Sequence, residues 1–263
     1  MIRTGIRPLR ASVRARLLAA ACALLPGIGC AGEVQVASAA NFAGPLAKIV
    51  ERFSAATGHT VKVSAGPTGK FHSQILAGAP YEVLIAADEA RPKMLVDAGH
   101  AVAGTARTYA IGQLVLWSAQ PGRVDEKGAV LAGGRFERLA IANPKLAPYG
   151  AAALEVLRAS GLTDALTPKL VTGDSIAQAY QFVLSGNADL GFVALSQVAV
   201  PGKPLTGSMW KVPQSLYSEI RQDAVLLKAG ENNPAARALL DYLHGPEALA
   251  VIEAYGYRPA PAP

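Results

Sequence analysis

An α/β fold built on two mainly parallel sheets is what this sequence predicts, and three observations carry it. After the first thirty-odd residues, short apolar runs rich in β-branched residues alternate with stretches of helical period. The run Tyr109–Trp117 is long for one strand and contains Gly112, a place where the chain can cross from one sheet to another. A second crossing near Tyr217–Asp223 would bring it back.

Residues 1–31 read as an export signal. Arg3, Arg7, Arg10, Arg14 and Arg16 form a basic start without an acid, and Leu17–Leu25 is an unbroken apolar run of nine residues. That length suits a signal core and is far too short to span a bilayer. Pro26 and Gly27 end the run, and Gly29 and Ala31 suit cleavage before Gly32. Cys30 offers lipid attachment as the alternative, although Gly27 stands where a lipoprotein signal carries an apolar residue. The expected location is the periplasm. Of the net charge of +6, five units sit on those arginines, so +6 − 5 leaves +1 for the rest. A chain so nearly neutral gives no sign of a nucleic-acid partner. Cys22 and Cys30 are the only cysteines. The exported part therefore has neither a disulfide framework nor a thiolate metal site, and its roughly 230 residues must be held by ordinary cores.

The strand candidates, in order, are Val34–Ala37, Val61–Ser64, Glu82–Ala86, Leu114–Trp117, Leu139–Ala142, Leu190–Val193 and Ala224–Leu227. Behind the first, Leu46, Ile49, Val50 and Phe53 recur at i, i+3, i+4 and i+7, one stripe of a helix. Pro45 is tolerated in its first turn because that N–H would be unpaired in any case. Ile176, Ala179, Tyr180 and Val183 repeat the spacing, and two helices open on proline at Pro234–Leu243 and Pro246–Tyr255. The two crossings divide the chain into 32–110 (lobe I, first part), 111–217 (lobe II) and 218–263 (return to lobe I).

Four turns then fall where a strand hands over to a helix. They are Ala40-Asn41-Phe42, Gly66-Pro67-Thr68-Gly69, Ala147-Pro148-Tyr149-Gly150 and Gly173-Asp174-Ser175-Ile176. Each aims first-turn N–H groups, with the positive end of the helix behind them, at the space beyond the strands. Such turns can hold an anion. Asn41 and Thr68 add side-chain donors; none of the four turns contains arginine, and Lys70 alone lies near one. Each residue also has a plainer reading. Asn41, Thr68 and Ser175 are ordinary N-cap types, Tyr149 can be a turn aromatic, and Ile176 belongs to the core by its side chain. Spacing alone leaves both readings open.

Enzyme motifs fit poorly. Gly66–Lys70 looks superficially like a phosphate-binding loop, but Ser64 stands where its first glycine belongs and Phe71 where serine or threonine is needed. His59, His72, His100 and His244 are scattered without metal-ligand spacing, and no Gly-x-Ser-x-Gly elbow is present. No cofactor, free metal cation or catalytic residue is expected.

Nearly the whole exported chain, Glu33 to about Arg258, resembles the periplasmic molybdate-binding proteins of ABC transporters. The stretches that carry the resemblance are Ala39–Phe42, Gln74–Tyr81, Ala86–Glu89, Tyr109–Trp117, Asn143-Pro144 with Ala147–Gly150, Asp189–Leu195 and Gly245-Pro246. The resemblance implies a two-lobed periplasmic binding protein of type II, closing over a tetrahedral oxyanion, molybdate or tungstate, and handing it to a membrane permease. It implies a monomer. By position the ligand contacts fall on Asn41 and Thr68, through side chain and main chain, and on Tyr149 and Ile176, through main-chain N–H. Ala40 would add its N–H alone, where some relatives have threonine, and Ala194 replaces a tyrosine used by another branch. A site of donors without an acceptor suits a fully deprotonated dianion. A sulfate-type binding protein is the alternative, and behind it a secreted phosphatase or hydrolase.

Overall fold

The computed structural model describes Met1 and residues 31–260; the expected signal segment and Cys30 lie outside the described residues. The first sheet has the order β2-β1-β3-β10-β4, with β1 at Glu33–Ala39, β2 at Thr60–Gly66, β3 at Val83–Ile85, β4 at Arg107–Gly112 and β10 at Ile220–Leu226. The second has the order β7-β6-β8-β5-β9, with β5 at Leu114–Ser118, β6 at Leu139–Ala142, β7 at Leu170–Gly173, β8 at Leu190–Ala194 and β9 at Ser208–Lys211. In each sheet one strand opposes the other four: β10 pairs antiparallel with β3 and β4, and β5 with β8 and β9. Both are the first strand after a crossing, because a chain arriving from the neighbouring lobe enters the new sheet from the opposite end.

Helices of eight residues or more are α1 (Ala43–Thr57), α2 (Thr68–Leu76), α3 (Ala90–Asp97), α4 (Pro148–Ala159), α5 (Ile176–Leu184), α6 (Pro234–Leu243) and α7 (Pro246–Ala254). The expected stripe of α1 is realised, with Leu46, Ile49 and Phe53 buried, and Gly58 at φ 75° ends the helix. Each such side chain contributes about 1.5–3 kcal/mol on burial. The strands of the first sheet alternate with period two. Val34, Val36, Val83, Ile85, Ala224 and Leu226 face α1, α6 and α7, while Ala37, Leu84 and Val225 face Phe71, Ile75 and Leu95 of α2 and α3. Among the described residues no helix is long and apolar enough to cross a membrane.

Three strands differ from the sequence expectation. β7 and β9 close the two edges of the second sheet and are largely half-exposed, so neither shows the unbroken apolar run that marks an interior strand. β10 begins at Ile220, four residues ahead of the predicted start, because Gln222 is fully buried despite being polar.

The site depends on how closely its helices approach the strands. A Cβ on Gly150, in the first turn of α4, would collide with the backbone carbonyl of Ala142 at the end of β6. Gly150→Ala is expected to lower stability by about 1–3 kcal/mol, read as a fall in the urea midpoint with an unchanged slope.

Candidate functional site

All four turns foreseen in the sequence open on one small cavity between the lobes, enclosing about 200 Å³ of empty space. From the first lobe come Ala39, Ala40 and Asn41 at the end of β1, Gly66, Pro67 and Thr68 at the end of β2, and Ala87 behind β3. From the second lobe come Ala147, Pro148 and Tyr149 after β6 and Ile176 after β7. None of these residues is charged. Asp174, the nearest acid in the turns, is exposed and does not line the cavity.

Each turn presents main-chain donors for a local reason. Ala40–Phe42 is a short 3₁₀ turn whose first carbonyl is taken by Ala43 N–H, so the N–H groups of Ala40 and Asn41 precede the ladder. At α2, Lys70 and Phe71 bond the Pro67 carbonyl, and the Thr68 N–H stands ahead of them. At α4, Pro148 has no N–H and Gly150 and Ala151 both bond the Ala147 carbonyl, which singles out the N–H of Tyr149. At α5, Ile176 occupies the first helical position.

The capping alternative holds for one residue of three. Ser175 Oγ accepts from Gln178 N–H and caps α5. Neither Asn41 nor Thr68 makes a side-chain cap bond. Thr68 Oγ1, buried at 1% exposure, instead accepts from Ala87 N–H at 3.0 Å. With an oxygen lone pair so engaged, the hydroxyl hydrogen is left to donate.

Asn41 departs from expectation. Its side-chain amide was assigned to the ligand, but Nδ2 donates to Gln222 Oε1 and to the Tyr257 hydroxyl, both at 2.9 Å. Both amide hydrogens are spent inside the protein, and the donor this residue keeps for the cavity is its main-chain N–H. The cause is a buried polar cluster behind the turn. Tyr109 and Tyr149 hydroxyls also bond Gln222, at 2.9 and 3.0 Å, and Tyr257 and Ser196 hydroxyls each donate to the Asn41 carbonyl at 2.9 Å. Burial pushes the phenols of Tyr109, Tyr149 and Tyr257 well above the ordinary tyrosine range. They remain neutral, so the wall of the cavity carries dipoles and no charge.

The lobes are shut across this cavity. Gly69 N–H donates to the Leu146 carbonyl and Arg91 Nη2 to the Lys145 carbonyl, each at 2.9 Å, with Asp88 pairing the same guanidinium. Ala39 and Ala87 of the first lobe are packed into the apolar core of the second. Among the described residues no group of three histidines, cysteines or acids could hold a metal ion.

Residues 34–258 match the family of bacterial extracellular solute-binding proteins. The chain belongs to that family. Within it, the chain is 60% identical over 227 residues to the molybdate-binding protein ModA of Azotobacter vinelandii, spanning 86% of this chain and 90% of that protein. It is 55% identical over 242 residues to ModA of Rhodobacter capsulatus, spanning 91% and 94% respectively. A solved structure of the Azotobacter vinelandii periplasmic molybdate-binding protein superposes with a TM-score of 0.84 at 44% identity, covering 86% of this chain and 98% of that one. The two-lobed architecture is thus that of an extracellular solute-binding protein.

Gln222, Tyr257, Tyr109 and Ser196 went unrecognised in the sequence. Gln222 and Tyr257 reach Asn41 from 181 and 216 residues away, beyond any local pattern. The one available signal was a glutamine set in the apolar alternation of Ile220–Leu226. Two variants separate the cap from the site wall. Ser175→Ala should lose about 1 kcal/mol of stability through its cap, while Thr68→Val should lose about 1–3 kcal/mol by orphaning the buried Ala87 N–H; urea unfolding of both measures the difference.

Proposed function

We propose that this protein binds a tetrahedral oxyanion, molybdate or tungstate, in the interlobe cavity on the periplasmic side of the membrane and delivers it to the permease of an ABC transporter. The observation that carries the reading is the polarity of the cavity. Helix-start N–H groups and the Thr68 hydroxyl hydrogen point into a space lined by no charged residue. Molybdate and tungstate are fully deprotonated near neutral pH and need donors only. Phosphate, which carries a proton there, needs an acceptor, and no carboxylate lines the cavity. Fixed dipoles can balance a dianion without a cation when water is excluded. The identity to two ModA proteins supports the choice of metal oxyanion.

The ligand donors in this reading are the main-chain N–H groups of Ala40, Asn41, Thr68, Tyr149 and Ile176, with the Thr68 hydroxyl. The protein acts by binding and release, as a monomer, without cofactor or catalytic residue. Two turns belong to each lobe, so a bound dianion bonds both, and that differential contact is what favours the shut state. The Arg91–Lys145 and Gly69–Leu146 bonds add to it at the rim. The closed outline would be the form a permease recognises.

Calorimetry of the purified protein with molybdate, tungstate, sulfate and phosphate tests the reading. Tight binding of the first two, with sulfate and phosphate much weaker, is expected. No heat with molybdate or tungstate overturns the assignment, and sulfate as the tightest ligand would make this a sulfate-type binding protein. Thr68→Ala and Asn41→Ala should each weaken molybdate binding by about 1–3 kcal/mol; equal affinity in both would return these turns to a structural role.

A further inference from the structure

The side-chain amide of Gln222 is fully buried and joins the two halves of the site from behind. Its oxygen accepts from Asn41 Nδ2 and from the Tyr109 hydroxyl, both at 2.9 Å, and both within the first lobe. Its nitrogen donates across the lobe boundary to the Tyr149 hydroxyl at 3.0 Å. Asn41 and Tyr149 are residues of opposing cavity turns, so one amide touches a turn of each lobe. Gly112, the last residue of β4 before the chain crosses, lies against the same contact. A Cβ there would collide with the Tyr149 hydroxyl and the Gln222 amide, so the bond forms only over a bare Cα at the crossing.

The two kinds of contact behave differently when the lobes part. The bonds to Asn41 and Tyr109 lie within the first lobe and survive opening. The bond to Tyr149 is broken, and water can then satisfy both partners. It therefore favours the shut state alone, as any group bonded in one state and solvated in the other must. We propose that Gln222 is a positioning residue for the anion site: through the Tyr149 hydroxyl it draws the second-lobe turn onto the first and sets how long the lobes stay shut. The ligand arm of this proposal rests on the oxyanion reading above. The conformational arm does not, because the bond joins protein groups only.

The plainer account is that Gln222 serves only to satisfy Asn41 and Tyr109 inside the first lobe, in which case the Tyr149 hydroxyl is immaterial. Gln222→Leu, Tyr149→Phe and the double variant decide between them. Tyr149→Phe keeps the ring and the main-chain N–H, and it decides alone if Gln222→Leu fails to fold. Residues 32–263 contain no cysteine, so Met94→Cys on the first lobe and Ser160→Cys on the second give the exported protein two spin labels and no others. Without ligand, each variant should lower the population at the short interlobe distance. Molybdate release, chased with tungstate, should be about tenfold faster in each single variant and no faster still in the double. A Tyr149→Phe protein with wild-type distances overturns the proposal, as do release factors that simply multiply in the double variant. A wild type that ignores molybdate while the variants still shift the distances would instead overturn the oxyanion reading and leave the role of Gln222 standing.

Discussion

Where the two lobes meet, buried polar groups of one are satisfied by the other. Ser196 in the second lobe gives its hydrogen to the Asn41 carbonyl in the first, and Gln222 in the first gives one to Tyr149 in the second. A buried polar group left without its partner costs about 1–3 kcal/mol. Half-closed arrangements that exclude water before these bonds form are therefore disfavoured, and the lobes have two good states, solvated apart or fully paired. The four turns sit in front of this polar layer and inherit its register. Their spacing around the cavity is set less by the turns themselves than by what lies behind them.

The same layer explains how a neutral cavity can suit a dianion. Tyrosines whose phenols are held in the neutral form, together with amides that spend their hydrogens on one another, surround the site with groups that neither compete for the ligand nor repel it. What reaches the cavity is the start of each helix. First-turn N–H groups have no acceptor in their own helix and would otherwise need water. A bound oxyanion answers that need in both lobes at once. The cap on Ser175 and the bond from Ala87 to Thr68 serve the same end by different means, one completing the helix start and the other aiming a hydroxyl.

Much of the fold was open to reading because interior strands and amphipathic helices carry period. Val34–Ala37, Leu139–Ala142 and Leu190–Val193 lie inside observed strands, and Leu46, Ile49 and Phe53 form the buried face of their helix. The edge strands β7 and β9 escaped because partial exposure removes the apolar run. Position along the chain was enough to locate the turns around Asn41, Thr68, Tyr149 and Ile176, since each follows a strand and opens a helix. It was not enough to say which way Asn41 points, because its partners Gln222 and Tyr257 arrive only when the chain returns from the second lobe.

By itself, then, the sequence determined which segments become strands and helices, where the chain crosses between lobes, and which helix starts could offer N–H groups. These depend on near neighbours and on periodicity. Only the tertiary structure decided that the four starts share one cavity, that Thr68 donates while Ser175 caps, and that the Asn41 amide faces inward. Those outcomes depend on hydrogen-bond partners brought together from distant parts of the chain. A side chain with several possible partners is settled by whichever of them the fold delivers.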